Sequence, residues 1–224
     1  MIEHIQKTIK EINKELPKQV KLVAVSKFHT IESIQAAYEV GQRIFGESRA
    51  QELQTKQPAL PKDIEWHFIG HLQANKVKYI APYVSLIHAV DNYKLLEEID
   101  KQARKNNRVI RILLQLHVAQ EESKFGFSVD ECRRFLTEGE WKKLENVQIA
   151  GIMCMASNTE NESQIHTEFR TAYNFYLEAK EKFFADDPDF CERSWGMSHD
   201  YPIAIEEGCT MVRIGSKIFG ERVY

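Results

Sequence analysis

The chain has 224 residues, 43% of them apolar, and a formal net charge of −3 at neutral pH. That length accommodates two small domains or one α/β barrel, and the near-neutral balance offers no basic stripe to nucleic acid. No apolar run approaches the roughly 20 residues that span a bilayer, and the opening MIEHIQKTIKEINKEL is amphipathic and charged, unlike a secretory signal.

The opening pattern predicts a helix near residues 2–15. The apolar run Lys21-Leu22-Val23-Ala24-Val25-Ser26 then reads as a buried strand and ends on Lys27. A lysine at such a strand tip is partly desolvated and can serve as a nucleophilic amine. The plainer alternative is the first solvated residue after a strand. Residues 31–40 follow as a helix, with Ile34, Ala37 and Tyr38 on one face. Further strands are expected near 43–46, 65–69, 84–89, 109–117, 147–152, 192–196 and 210–214, with helices such as 92–105 and 161–183 between them. The runs at 43–46 and 192–196 are short and interrupted by polar residues.

This βα alternation implies right-handed crossovers and a parallel sheet. Eight strands point to one (β/α)8 TIM barrel over residues 1–224, with an extra N-terminal helix. A doubly wound open sheet is the competing fold, disfavoured as a dinucleotide binder because no G-x-G-x-x-G follows the first strand. Cys132, Cys154, Cys191 and Cys209 form no C-x-x-C pair, and no two of the eight histidines have metal-ligand spacing. Reduced thiols in a cytoplasmic protein without a metal are therefore expected.

Barrel active sites form at the C-terminal strand ends. Among the residues there, Asp91 reads as a helix N-cap, and His71 and His88 read as satisfied structural histidines. The ends of the seventh and eighth strands are where barrels often bind phosphate. Ser198 offers a hydroxyl, Gly215 lets backbone approach an anion, Ser216 adds an amide and a hydroxyl, and Arg213 points into the same mouth. A strand-end lysine facing such a cradle suits a phosphorylated carbonyl compound. Pyridoxal 5′-phosphate (PLP) and a phosphosugar aldolase substrate satisfy that chemistry equally.

The motifs VAVSK (23–27), IFGESRAQE (44–52), WHFIGHLQANK (66–76), KFGF (124–127), GIMCMA (151–156) and WGMSHDYPIAIEEGCTMVRIGSKIFGER (195–222) run across nearly the full length. On them the chain resembles the PLP homeostasis protein family, the proline synthetase co-transcribed homologues. The resemblance implies a barrel similar to the N-terminal domain of alanine racemase, with PLP held as an aldimine on Lys27. It implies that Ser198, Gly215 and Ser216 hold the phosphate and that Arg213 faces the pyridine nitrogen. A guanidinium there disfavours ring protonation and weakens the ring as an electron sink. Ser48 and His117 stand where many family members carry Asn.

Alanine racemase sets a tyrosine from a second domain opposite its lysine. This chain ends at Tyr224, read as a frayed terminus, so efficient two-base racemization is not expected. The expected role is a monomeric PLP carrier that buffers the cofactor, hands it to apo-enzymes, and so affects amino-acid and keto-acid balance, with no catalytic residues of its own. A low-activity amino-acid racemase is the alternative.

Overall fold

The computed structural model describes residues 1–121 and 125–220. Lys124 of the KFGF motif, Glu221 and Arg222 of the last motif, and Tyr224 lie outside them. The chain opens with α1 (Ile2–Glu15), then β1 (Lys21–Val25), α2 (Ile31–Glu39), β2 (Ile44–Glu47), α3 (Ala50–Lys56), β3 (Glu65–Phe68), α4 (Val77–Ile80) and β4 (Leu86–Val90). It continues through α5 (Tyr93–Lys105), β5 (Ile110–His117), α6 (Val129–Glu138), β6 (Val147–Met155), α7 (Glu162–Phe183), β7 (Glu192–Ser194), α8 (Tyr201–Glu206), β8 (Met211–Ile214) and α9 (Ser216–Phe219). The strands are all parallel and close in sequence order into a barrel. β1 makes the closure, aligning Ala24 with Phe45 of β2 and Leu22 with Val212 of β8. The open-sheet alternative is thereby ruled out.

Burial follows the two periods that the sequence carries. Along α1, Ile5, Ile9 and Ile12 recur at helical spacing, are fully buried, and pack the helix against α2 and α9. Burying each is worth about 1.5–3 kcal/mol, enough to hold this extra helix on the barrel wall. Along the strands, alternate side chains face outward into the helix layer, such as Leu22, Ala24 and Phe45. The inward row includes Val23, Leu113, Met153 and Met211.

β7 is short and polar because its inward side chains meet charged partners. The Glu192 carboxylate accepts from Lys21 (2.6 Å) and Arg111 (3.3 Å) at the N-terminal end of the barrel. Its strand stops at Ser194, two residues before the expected end. At α5 the N-cap is Asn92, whose side chain accepts from the Leu95 amide at 2.8 Å. Asp91, the expected cap, lies one residue too early for that N3 contact and accepts from the Asn92 side chain instead.

Candidate functional site

Inward alternation carries past the strand ends and builds the site. Val23 faces the barrel interior, and Val25 and Lys27 line a cavity of about 310 Å³. On β8 the same row runs Met211, Arg213 and Gly215, and the last two line that cavity as well. β3 leads to Ile69 and β6 to Met155, both on its wall. The loop after β7 adds Met197, Ser198 and His199, and Ser216 opens α9. The structure therefore brings Lys27, Ser198, Arg213, Gly215 and Ser216 onto one cavity at the C-terminal rim.

Lys27 is half-buried in the turn that ends β1, where the His29 amide donates to the Ser26 carbonyl at 3.1 Å. At the end of the neighbouring β8, the Gly215 amide donates to Ser198 Oγ at 3.3 Å, tying the two phosphate-type segments together. A Cβ at position 215 would stand 3.1 Å from the Val25 carbonyl and 3.2 Å from Val25 Cβ. Glycine eases this close approach of β1, since any larger residue would have to push Val25 back slightly.

Arg213 is 4% exposed. Its Nη1 donates to the Ser194 carbonyl (2.8 Å) and hydroxyl (2.7 Å), and its Nη2 donates to the Cys154 carbonyl (3.0 Å). Burial holds its pKa below the ordinary arginine value. Among the described residues no carboxylate lies within ion-pair distance of it, and its hydrogen bonds go to neutral groups.

Sequence reasoning missed what holds this guanidinium. Ser194 Oγ is 2.9 Å from Nδ1 of His88, whose Nε2 is 3.0 Å from Nδ1 of His67. Burial pushes the His67 pKa down to about 3 and that of His88 well below its ordinary value, so both rings are neutral. The polar residues inside otherwise apolar strands 3 and 4 were the available signal. His88 matches the structural role expected of it, and His71 stacks on Phe125 at 4.1 Å, off the cavity. Ser48 and His117 do not line the cavity either.

One primary amine, one unneutralised buried guanidinium, a hydroxyl–amide cradle and apolar walls from Val25, Ile69, Met155 and Met197 share this volume. Chemically, such a set suits a small planar anion bearing an electrophilic carbon.

The barrel is that of alanine racemase. The Streptomyces coelicolor enzyme superposes with a TM-score of 0.76 at 16% identity, covering 98% of this chain and 58% of its own. The family model described as alanine racemase, N-terminal domain, matches residues 2–223. A pyridoxal phosphate homeostasis protein from Aquifex aeolicus is 40% identical over 205 residues, 91% of this chain and 88% of that one. PipY of Synechococcus elongatus PCC7942, solved with PLP bound, is similar at 34% identity with a TM-score of 0.86, covering 96% of this chain and all of its own. The chain belongs to the alanine racemase N-terminal domain family and, within it, to the pyridoxal phosphate homeostasis proteins.

Proposed function

We propose that this protein binds PLP in the rim cavity, with Lys27 as its covalent partner, and serves PLP homeostasis without efficient catalysis. The observation that carries the reading is the meeting of the Lys27 amine, the buried Arg213 cation and the Ser198–Gly215–Ser216 cradle in one cavity. The names of the curated relatives and the PLP-bound PipY structure support it. The donor set also fits: the cradle suits a phosphate, and the apolar walls suit a ring.

When bound, PLP supplies an aldehyde that condenses with amines and a ring that can draw electron density. The Lys27 amine provides the tether. Ser198 and the amides at 215 and 216 would hold the phosphate end. Arg213, fixed by Ser194 and Cys154, would present a permanent positive charge to the ring and would oppose protonation of its nitrogen. A ring kept unprotonated is poorly suited to carbanion chemistry, which favours holding and releasing the cofactor over racemizing an amino acid.

Hand-over to apo-enzymes, a monomeric state and a cytoplasmic setting belong to this proposal. Among the described residues no helix is long and apolar enough to cross a membrane. The test is an absorbance spectrum with added PLP, before and after borohydride, followed by peptide mapping. Reduced label on Lys27, and loss of the visible band in Lys27→Ala, are expected. A band that survives dialysis in that variant overturns the assignment. Chiral analysis of single-enantiomer amino acids incubated with the protein decides the racemase alternative, since turnover that scales with protein and vanishes in Lys27→Ala would establish it.

A further inference from the structure

Both peptide units that flank Lys27 are gripped by one helix. The Ser26 carbonyl accepts from Lys56 Nζ at 2.8 Å, and the Phe28 amide donates to Glu52 Oε1 at 2.6 Å. Lys56 and Glu52 both belong to α3 and pair with each other at 2.6 Å. Lys56 Nζ also reaches Glu47 Oε1 at 2.8 Å, and that oxygen accepts from the Ser26 hydroxyl at 2.6 Å. Arg49, just before α3, lies over the Phe28 ring at 4.6 Å. The cluster sits behind β1, on the face of the strand away from the cavity, because Ser26 and Lys27 point to opposite sides.

An apolar layer would hold α3 to the sheet at lower electrostatic cost. Lys56 is 5% exposed and Glu47 fully buried, with Glu47 Oε2 lacking a hydrogen-bond partner. Desolvating such charges commonly costs as much as their attraction returns. Charged groups add direction instead, since each fixes a particular carbonyl or amide.

The turn they fix is one the chain would otherwise leave. Phe28 has φ of 67°, a left-handed conformation that bulky residues seldom adopt. It occupies the third position of the Ser26–His29 turn, where glycine or asparagine is usual. Held there, it reverses the chain so that Lys27 continues the inward row of Val23 and Val25.

We propose that Lys56 and Glu52, backed by Glu47, are positioning residues that hold the Ser26–Phe28 turn in the form that aims the Lys27 amine into the cavity. The inference rests on the PLP reading above. Lys56→Met and Glu52→Gln are compared with the unaltered chain in three measurements. Circular dichroism reports folding, and equilibrium dialysis with pyridoxine 5′-phosphate, which has the ring and phosphate but no aldehyde, reports the cradle. Mass spectrometry after borohydride reports the rate of PLP capture at Lys27.

Folded variants are expected to keep pyridoxine 5′-phosphate affinity within about threefold while capture at Lys27 slows roughly tenfold or more, the scale expected from a small misplacement of a reacting group. A purely structural cluster would leave the capture rate of folded protein unchanged, and that result overturns the proposal. If Lys56→Met does not fold, Glu52→Gln decides alone, because its side chain lies at the edge of the cluster, 20% exposed. Failure of the unaltered chain to capture PLP at Lys27 overturns the cofactor reading itself and this inference with it.

Discussion

Gly215 is the residue where backbone geometry and the proposed chemistry meet most directly. Its φ of −122° lies outside the left-handed region that favours glycine. The obstacle is space: a methyl group would press on the Val25 carbonyl and Cβ at 3.1 and 3.2 Å. Since β1 carries Lys27 two residues beyond Val25, the strain from Gly215→Ala would spread into both halves of the site. We expect that variant to remain folded, with a melting temperature lowered by a few degrees for a cost of about 1 kcal/mol. PLP affinity should fall about tenfold, or about 1.4 kcal/mol, in equilibrium dialysis. Affinity unchanged from wild type would remove Gly215 from the phosphate cradle.

At the scale of elements, β6 depends on one close contact. Gly151 has φ of 150°, and a Cβ there would meet the Glu192 carbonyl of β7 at 1.9 Å. The register of β5 against β6 shifts at the same point, between Ile112 and Leu113. Gly151→Ala must therefore push β7 outward, and a loss of at least about 3 kcal/mol in denaturant unfolding is expected; a loss below about 1 kcal/mol would show that the strands yield easily. Most of the strands were legible in sequence as apolar runs bounded by breakers; the polar β7, Glu192–Ser194, was legible mainly from its place in the βα alternation. The rim residues were legible for a related reason: a closed parallel barrel sends every strand's C-terminal end to the same rim, so strand-end chemistry in sequence becomes one cavity in space. Glu52 and Lys56 were not legible, because nothing in a polar heptapeptide helix tells that its charges turn inward to grip the β1 turn. His67 and His88 escaped functional notice for the converse reason, since a lone histidine in an apolar strand carries no sign of which partner it will meet. Asp91 shows the limit of boundary reading, where a one-residue offset exchanged the cap for its neighbour.

For the whole molecule, the interior polar chain from Arg213 to His67 sets the response to acid. His67 has its folded pKa depressed from 6.5 to about 3, first by burial and then by the Lys21 and Arg111 charges; His88 is likewise held well below its ordinary value, by burial, His67 and Arg213. A base with a depressed folded pKa binds protons preferentially in the unfolded chain. Its contribution is thus fully present above pH 6.5 and is lost as pH falls toward 3. For His67 this amounts to about 1.4 kcal/mol per pH unit across that window, and His88 acts in the same direction. Glu47 acts in the opposite direction. Burial raises its carboxyl from 4.5 to about 6, so the folded state takes up its proton first and gains slightly between pH 6 and 4.5. The two histidines outweigh the one carboxyl, and a net loss on the order of 1 kcal/mol or more is expected between pH 7.5 and 5.5. It should appear as a lower guanidinium midpoint at pH 5.5 with an unchanged slope. Replacing both rings, in a His67→Phe/His88→Leu variant, should reverse the remaining trend, because the loss they cause is removed while the Glu47 gain stays. A wild-type midpoint that stays level from pH 7.5 to 5.5 would mean that the two imidazoles accept protons inside the barrel, and the neutral relay beneath Arg213 would have to be abandoned.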